Sequence, residues 1–499
     1  MSSENYMSKC GYVVYKSNLD IKDLIQLKQE LVAKPICPSV SVFGNSKDTS
    51  FSVFKETKSR LYIPKFYGIE KFGIPTKINE NYYGKSWDSI TEKDTLISFE
   101  FNGTLYDRQI EPRDSLLESL YTKGGGILNI STGLGKTTIA LNIITKLKKV
   151  TLVVVNKISL LNQWQDEIKK FIPNVRVGKI QGQTVDIDNK HIIIAMLQSL
   201  SKIDYPQEIF NDIGLVIVDE CHNTSTKMFS QIFFKVNSCY TIGLSATPER
   251  SDGCEYVFKW HLGDIACSLK QERKGNQPII NFIKINSENY NEIKTTNRFT
   301  NKDQIQFTSM ISDLVDMENR NKLIIDIIQK LVGQNRKVLV MSDRRNHIQS
   351  LFNSLHQEQC SFTFGKFMGS MKKKDLDYTK TCNVILATFS AFSEGVSVYD
   401  LDTLVLITPK KYVDNDSLKD SNQKKDNGKM QQIIGRIFRK DHINTTPLII
   451  DLCDNFSIYK YQTTTRKKFY KKHLESYSIK NTNVDIDTLD FDKVDFKEI

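Results

Sequence analysis

The chain has 499 residues, of which 39% are hydrophobic, and a formal net charge of +11. This length suits roughly three domains of about 150 residues each, and the charge permits a polyanionic partner without requiring one. The nine cysteines include no C-x-x-C pair, no apolar run is long enough to span a membrane, and no secretory signal pattern is present, so we expect a reduced, cytoplasmic protein without a zinc ribbon, an iron–sulfur cluster or a membrane anchor.

Residues 1–100 mix polar and apolar stretches. Short β-like runs at 50–54 and 61–67 are accompanied by several proline and glycine turn signals. We predict a small accessory α+β domain here, and we expect the rest of the chain to fold without it.

Two later blocks, 101–265 and 319–458, alternate buried-strand runs with helical stretches. Short, continuous apolar runs rich in β-branched residues are typical of parallel sheets that helices cover on both faces. The predicted strands are 126–130, 150–155, 191–195, 215–218 and 240–244 in the first block and 338–341, 384–387, 403–407 and 448–451 in the second. The sequence therefore predicts an α/β protein with two tandem parallel-sheet domains of the P-loop kind, with a linker or insertion at 266–318 and an extension at 459–499.

A phosphate-binding loop is predicted at 129–138, where NISTGLGKTT lies between a strand and a helical stretch. Gly133 and Gly135 allow backbone N–H groups to surround phosphate oxygens, and the helix N-terminus adds a field that favours anions. Lys136 is expected to reach the β- and γ-phosphates of ATP, and Thr137 to ligate Mg²⁺.

A second chemical signal is the apolar strand at 215–222, LVIVDECH, which ends in two acids. Asp219 is expected to hold the Mg²⁺ shell, and Glu220 to act as general base toward the attacking water. His222 is a candidate link between the state of the nucleotide and the neighbouring domain.

These two motifs, together with GLSATPER at 243–250 and QIIGRIFR at 432–439, resemble motifs I, II, III and VI of superfamily 2 helicases, in the family's order. The resemblance covers about 105–455. It implies two RecA-like domains, hydrolysis of ATP with Mg²⁺, and binding of nucleic acid.

The branch is indicated by shorter matches. LLNQW at 160–164, ATPERSDG at 246–253 and ENRNKLI at 318–324 are similar to the XPB-type helicases. YIPKFYGIE at 62–70 resembles relatives of the poxvirus transcript-release helicase in large cytoplasmic DNA viruses.

The resemblance also assigns the residues of the site. Gln109 takes the place of the family's adenine-reading glutamine, whose amide can bond adenine bidentately. Gln432 is expected to contact the γ-phosphate or the water, and Arg436 and Arg439 to meet the charge that grows on the γ-phosphoryl group. The predicted nucleotide-binding residues are Gln109, Ser131, Thr132, Gly133, Leu134, Gly135, Lys136, Thr137, Thr138 and Gly395, and the predicted metal ligands are Thr137 and Asp219.

Superfamily 2 motors hold the phosphodiester backbone rather than base edges. By motif, the expected nucleic-acid contacts are Gln163, Trp164, Gln198, Arg344, Arg345 and Thr388. The alternative for each of them is a solvated loop position.

Two positions depart from the family pattern. Ile130 stands where a strict P-loop has its first glycine. Ser397 carries no charge where motif V often has Asp, which weakens the coupling expected there; Asp400 and Asp402 are candidates to replace it.

Two further segments lie outside the motifs. Residues 410–429 are polar and are predicted to form a long loop. The stretch 459–477 interleaves basic residues with aromatics; we favour an interpretation in which its aromatics pack on the core, and the alternative is a nucleic-acid contact. Residues 484–496 alternate apolar and acidic residues and suit either an edge strand or a tail.

The sequence thus predicts an ATP-dependent helicase or translocase, acting 3′-to-5′ on DNA in viral transcription elongation, termination or transcript release. The transcription machinery is then an expected partner, and the host cytoplasm or the virion the expected location. The alternatives are an RNA substrate, a motor of DNA repair, replication or a restriction-type system, and a scaffold with an inactive ATPase. The last is disfavoured because Lys136, Asp219, Glu220, Arg436 and Arg439 are all intact.

Overall fold

The computed structural model describes residues 4–35, 50–90, 99–131, 133–246, 252–269, 277–296, 303–369, 371–392, 398, 400–410, 430, 433–438, 445–474 and 476–488. The described residues up to Leu269 form one compact unit, and those from Gln277 onward form a second. No helix in these ranges is long and apolar enough to cross a membrane.

The first unit begins with a small α+β layer. Its strands and helices are β1 (Tyr6–Ser8), β2 (Gly11–Tyr15), α1 (Ile21–Glu30), β3 (Val32–Ala33), β4 (Phe51–Ser52), β5 (Lys55–Glu56), β6 (Arg60–Ile63), α2 (Lys65–Phe72) and β7 (Lys77–Ile78). Five strands form a sheet in the order β5-β6-β2-β1-β7, and β3 pairs with β4. The strand expected at 61–67 stops early, because Pro64 caps a helix that begins at Lys65.

An eight-stranded sheet forms the centre of the first unit. Its strands are β8 (Gly125–Ile130), β9 (Thr151–Val155), β10 (Val177–Gln181), β11 (Thr184–Asp186), β12 (Ile192–Met196), β13 (Leu215–Asp219), β14 (Tyr240–Ser245) and β15 (Ile265–Leu269). The order is β11-β10-β12-β9-β13-β14-β8-β15, and every neighbouring pair except β10 with β11 is parallel. Strands β9, β12 and β13 are buried along their whole length, as expected for a sheet covered on both faces.

Helices cover this sheet. They are α3 (Asp107–Lys123), α4 (Lys136–Leu147), α5 (Ile158–Phe171), α6 (Leu197–Lys202), α7 (Phe233–Val236) and α8 (Glu255–Leu262). Two hydrophobic clusters occupy the opposite faces of the sheet, since Val153 and Ile217 belong to one cluster and the alternating Leu152 and Val218 to the other.

The second unit is built on a seven-stranded parallel sheet. The unit's strands are β16 (Ile279–Asn286), β17 (Lys294–Thr296), β18 (Asp303–Ile305), β19 (Val338–Ser342), β20 (Phe364–Phe367), β21 (Val384–Thr388), β22 (Thr403–Leu406), β23 (Leu448–Asp454) and β24 (Ser478–Asp485). The order is β20-β21-β19-β22-β23-β16-β24, while β17 and β18 form a separate hairpin.

The helices of the second unit are α9 (Phe307–Asp316), α10 (Glu318–Gly333), α11 (Arg345–Gln357), α12 (Lys373–Thr381), α13 (Phe389–Phe392) and α14 (Ser457–His473). Short 3₁₀ turns complete both units at Lys16–Asn18, Glu80–Tyr83, Trp87–Ser89, Gln207–Phe210, Cys221–Thr224, Ser230–Ile232 and Gly435–Phe438. In α14 the aromatic side chains Phe469 and Tyr470 are buried, so the favoured interpretation of this segment is confirmed for those two residues.

The predicted fold class is confirmed, because both blocks contain parallel sheets with covering helices and a small α+β layer precedes them. Two strands of the second sheet lie outside the predicted block. Strand β16 comes from the stretch expected to be a linker, and β24 comes from the C-terminal extension, where it forms the sheet edge beside β16. The predicted loop at 410–429 lies outside the described residues except for Lys410.

The N-terminal layer is bound to the large sheet of the first unit by buried polar contacts. The Lys65 ammonium donates to the carbonyl oxygens of Gly124, Ser238 and Cys239 at 2.8–3.2 Å, and burial lowers the pKa of Lys65 to about 7. Lys9 donates in the same way to the Ile213 carbonyl. Because these carbonyls would lose their partners, we now expect removal of residues 1–100 to destabilise the first unit.

Candidate nucleotide site

The predicted phosphate loop lies between β8 and α4 in the first unit. Strand β8 ends at Ile130 and helix α4 begins at Lys136. Gly133 and Gly135 have φ values of 92° and 84°, a left-handed conformation that a side chain disfavours. The loop thus leads directly into a helix N-terminus, whose free N–H groups favour an anion.

Gln109 supports this loop from α3. Its Nε2 donates to the Leu134 carbonyl at 2.9 Å, and its Oε1 accepts from the Tyr106 backbone N–H at 3.0 Å. A Cβ at Gly135 would lie 2.2 Å from Gln109 Nε2, so this glycine also allows the close approach of the amide. Gln109 therefore fixes the loop, while adenine recognition by Gln109 stays a prediction.

Lys136 points toward the acids at the end of β13, two strands away from β8 in the sheet. Its Nζ lies 3.6 Å from Glu220 Oε1 and is buried without a hydrogen bond to any described residue. A buried ammonium group without a hydrogen-bond acceptor is poorly solvated. At a helix N-terminus, it is therefore a good partner for a phosphate.

Asp219, the last residue of β13, is held on both carboxylate oxygens. The Trp164 indole N–H donates to Oδ2 at 2.9 Å, and the Glu220 backbone N–H donates to Oδ1 at 2.9 Å. Burial, and next the Glu220 carboxylate, raise the pKa of Asp219 to about 6, against the opposing effects of Lys136 and Trp164. A divalent cation would favour the ionised form of this carboxylate.

Glu220 and His222 form the next part of the site. Glu220 has φ 50° and ψ 53°, a strained conformation for a residue with a side chain. His222 Nδ1 lies 3.4 Å from Glu220 Oε2 and 3.0 Å from Ser245 Oγ. The motif II histidine therefore contacts the motif III serine at the end of β14, a link inside the first unit.

Thr137 and Thr138 lie in the first turn of α4 and are half-buried, as is Ser131 at the start of the loop. The predicted site residues Thr132, Gly395, Gln432 and Arg439 lie outside the described residues.

In the second unit, Arg436 is buried, with its guanidinium carbon 5.1 Å from the centre of the Phe392 ring. Thr388 is buried at the end of β21. Arg344 and Arg345 follow β19 and donate to the carbonyls of Thr308 and Gly369 at 2.9 and 3.1 Å.

Of the predicted nucleic-acid contacts in the first unit, Gln163 is half-buried on α5, and Gln198 donates to the Asn156 carbonyl at 2.7 Å. The expected contact of Trp164 with nucleic acid is wrong. Its side chain is fully buried and its one N–H is bonded to Asp219. Trp164 is therefore not available to a nucleic acid, and its indole instead holds the carboxylate of Asp219, the predicted metal ligand.

The residues present fit a magnesium–nucleotide complex. Asp219 and the Thr137 hydroxyl are oxygen ligands of the kind that Mg²⁺ prefers. Lys136 Nζ and Glu220 Oε2 are buried and make no hydrogen bond to a described residue. The ammonium could bind a phosphate, and the carboxylate oxygen could bind a water molecule.

Comparisons with known proteins identify helicase domains in both units. Residues 102–250 match the family described as type III restriction enzyme, res subunit, and residues 319–441 match the helicase conserved C-terminal domain. The chain is 30% identical over 478 residues to a protein of Acanthamoeba polyphaga mimivirus whose name proposes an ATP-dependent RNA helicase, covering 95% of this chain and 86% of that protein.

A protein of Invertebrate iridescent virus 6 that is named as a helicase is 26% identical over 478 residues, covering 92% of this chain and 96% of the relative. Among solved structures, the crystal structure of T4 UvsW is similar, with 20% identity, a TM-score of 0.34 and coverage of 93% of this chain and 96% of that one.

Proposed function

The chain belongs to the superfamily 2 helicases carried by large DNA viruses, and from this membership we propose that it is an ATP-driven motor that moves on DNA in the 3′-to-5′ direction during viral transcription. The helicase family makes it a nucleic-acid-dependent ATPase; the substrate, the polarity and the pathway are the proposed part.

The observation that carries the ATPase assignment is the grouping of three side chains, one from the start of α4 and two from the end of β13. Lys136 begins α4, Asp219 ends β13, and Glu220 follows it, with Lys136 Nζ 3.6 Å from Glu220 Oε1. An ammonium for phosphate, a carboxylate for a metal and a second carboxylate for a water are the groups that phosphoryl transfer to water requires.

The chain's own residues then have distinct tasks. Lys136 and the loop N–H groups would hold the β- and γ-phosphates, and Thr137 and Asp219 would hold Mg²⁺. The bound metal supplies charge neutralisation at the phosphate oxygens. Trp164 keeps Asp219 in one orientation through its 2.9 Å hydrogen bond.

We propose that Glu220 accepts a proton from the attacking water. As the water oxygen bonds to the γ-phosphorus and the bond from that phosphorus to the bridging oxygen of ADP breaks, one water proton passes to the Glu220 carboxylate. The hydrogen bond between His222 and Ser245 connects Glu220 to the end of β14, so protonation of Glu220 can alter this contact. Arg436 and Arg439, with Gln432, are proposed to stabilise the charge that develops on the γ-phosphoryl group.

Transcription and DNA are proposed from the resemblance to transcript-release helicases. RNA is the second candidate substrate, because the name of the mimivirus relative proposes an RNA helicase. The family described as type III restriction enzyme keeps a restriction-type or repair motor as a further alternative.

The experiment measures the ATPase rate with no nucleic acid, single-stranded DNA, duplex DNA and RNA, followed by strand displacement on 3′- and 5′-tailed duplexes. We expect stimulation by DNA and displacement from a 3′ tail. Stimulation by RNA alone, or displacement from a 5′ tail alone, would contradict the proposed substrate or polarity.

Lys136→Ala is the control for the ATP site. It should abolish turnover and keep binding of nucleic acid, since the side chain faces the phosphate loop. Turnover near the wild-type rate would contradict the assignment of Lys136.

A further inference from the structure

Helix α14 has two chemically different faces. Its buried face consists of Tyr459, Gln462, Thr465, Arg466, Phe469 and Tyr470. Its exposed face carries five lysines: Lys460, Lys467, Lys468, Lys471 and Lys472. The helix contains no aspartate or glutamate between Ser457 and His473.

The five lysines share one side of the helix. At about 100° per residue, positions 460, 467 and 471 lie almost above one another, and 468 and 472 lie beside them. Tyr461, which is 59% exposed, is in the same sector. The result is a basic surface about three turns long, with four of its five lysines in the last two turns and an aromatic ring near its first turn.

This arrangement has a cost for the isolated protein. Lysines four positions apart repel each other, and each such pair destabilises a helix by about 0.2–0.5 kcal/mol. Lys467 with Lys471 and Lys468 with Lys472 are two such pairs. A bound polyanion would weaken this repulsion, because its negative charges would lie between the ammonium groups.

The helix is also held rigidly from below. Arg466 Nε lies 2.8 and 3.0 Å from the two carboxylate oxygens of Asp451, and the Tyr470 hydroxyl donates to Asp451 at 3.1 Å. All three residues are buried. Because the helix is already fixed, binding a partner would order only the lysine side chains and not the backbone.

A chain of polar contacts that starts on the buried face of α14 links the helix to the predicted nucleic-acid track of the second unit. Arg466 Nη1 donates to the Lys410 carbonyl at 3.0 Å, and Lys410 Nζ lies 3.1 Å from Asp343 Oδ1. Asp343 immediately precedes Arg344 and Arg345 at the carboxyl end of β19. Ligands of parallel sheets bind at this end of the strands.

We propose that the lysine face of α14 binds the phosphodiester backbone of the nucleic acid on which the motor moves, and so adds contacts outside the helicase motifs to those expected of Arg344 and Arg345. This inference rests on the proposed function. Ammonium groups along one face suit a polyphosphate chain, because each contact releases condensed counterions whatever the base sequence.

The test compares two variants that lose four positive charges each. The first carries K467Q, K468Q, K471Q and K472Q. The control carries K22Q, K58Q, K77Q and K123Q, four exposed lysines dispersed over the first unit. Fluorescence anisotropy gives Kd for labelled single-stranded DNA, duplex DNA and RNA at several salt concentrations.

We expect the α14 variant to bind its nucleic acid at least tenfold more weakly at low salt. The slope of log K against log salt should fall by about 0.7–0.9 for each phosphate that the variant no longer neutralises, and the control should keep most of the wild-type slope. The nucleic acid whose binding weakens most identifies single-stranded DNA, duplex DNA or RNA as the ligand of this face. Equal weakening in both variants, or none in the α14 variant, overturns the inference.

A second measurement keeps the test valid should the α14 variant fold poorly. Nucleic acid that crosslinks to the wild-type protein should yield peptides from 457–473, and crosslinks confined to other segments contradict the inference. Failure of the proposed function can be distinguished from failure of this inference. In the first case the wild-type protein would show neither nucleic-acid binding nor stimulated ATPase.

Discussion

Each unit buries acidic side chains at the carboxyl end of a central parallel strand, but the two units satisfy them differently. In the second unit, Arg320 Nε and Nη2 lie 2.8 and 3.0 Å from the two oxygens of Asp454, and the Tyr290 hydroxyl donates to the same carboxylate at 2.7 Å. In the first unit, Asp219 receives an indole N–H and a backbone N–H, and no guanidinium among the described residues.

This difference distinguishes Asp454, an acid neutralised within the fold, from Asp219, the proposed metal ligand. A buried carboxylate matched by a bidentate guanidinium has its charge neutralised within the fold. Asp219 has its pKa raised to about 6 by burial and by Glu220, and next to it Glu220 adopts a left-handed backbone conformation. A buried negative charge that the fold neutralises only in part is typical of a site that receives a cation or a proton during its reaction.

The largest effect is expected from Glu220→Gln. The amide is nearly isosteric but cannot accept the proton of the attacking water, so kcat should fall by about 10²–10⁴-fold. ATP affinity should remain, because Asp219 and Lys136 are unchanged. Steady-state ATPase and binding of a fluorescent ATP analogue measure the two quantities. If ATP binding were lost along with turnover, Glu220 would have a structural role. The acids of the two units would then no longer differ in the way described for Asp454.

Breaking the structural pair should affect stability instead. Arg320→Met leaves Asp454 buried without its guanidinium, which costs about 3–5 kcal/mol of unfolding free energy. Calorimetry measures the loss. All three tryptophans, at 87, 164 and 260, lie in the first unit, so their fluorescence should report an unchanged unfolding of that unit.

The double variant Arg320→Met with Asp454→Leu is the matched control. It removes both charges, so it should be more stable than Arg320→Met alone. A double variant less stable than the single one would show that the pair does more than neutralise its own charges.

The central strands and the site loops were predictable because their signals are local. Continuous apolar runs locate β9, β12 and β13, and the order of the P-loop and the acid pair identifies the nucleotide site. Strand β16 was missed because Asn281 and Lys284 interrupt its apolar run, and β24 because it is a polar edge strand.

The polar contacts that distinguish the two units could not be predicted in this way. Trp164 contacts Asp219 across 55 positions of sequence, and Arg320 contacts Asp454 across 134. No periodicity relates such partners. An indole in the run LLNQW signals burial as readily as a ligand contact, and this ambiguity led to the wrong assignment of Trp164 to nucleic acid.

Trp164→Phe should sharpen the contrast with a smaller effect. Phenylalanine keeps an aromatic ring but removes the N–H that holds Asp219. Hydrogen bonds to charged groups contribute about 1.5–3 kcal/mol, so we expect the Mg²⁺ concentration for half-maximal ATPase to rise by roughly tenfold or more. A titration of ATPase rate against Mg²⁺ at saturating ATP measures it.

Trp87→Phe is the control, because Trp87 is also fully buried in the first unit but donates to the His191 carbonyl, at 3.3 Å. It should cost comparable stability and leave the Mg²⁺ dependence unchanged. Equal shifts in both variants would mean that the effect comes from general loosening of the unit, and Trp164 would not be a positioning residue.

The smallest expected effect concerns pH and compares two buried histidines, one from each unit. His347 is hydrogen-bonded on both ring nitrogens, to Ser342 Oγ at 3.1 Å and to Asn321 Oδ1 at 2.9 Å. His261 stacks on Phe233 with ring centres 4.4 Å apart, and its Nε2 is buried without a hydrogen bond to any described residue. Burial lowers the pKa of each to about 3.

In the unfolded chain a histidine binds its proton near pH 6.5, whereas folded His261 excludes it until about pH 3. The contribution of His261 to stability is therefore complete above pH 6.5 and is lost as the pH falls toward 3, by about 1.4 kcal/mol per pH unit in that window. His261→Leu removes this titration, so stability should fall less steeply between pH 6.5 and 5.5 than in the wild type.

Urea unfolding followed by tryptophan fluorescence measures the first unit alone. The control is His356→Gln, which changes an exposed histidine of the second unit and should leave this slope unchanged. If His261→Leu keeps the wild-type slope, protonation of His261 is not what makes the first unit sensitive to acid.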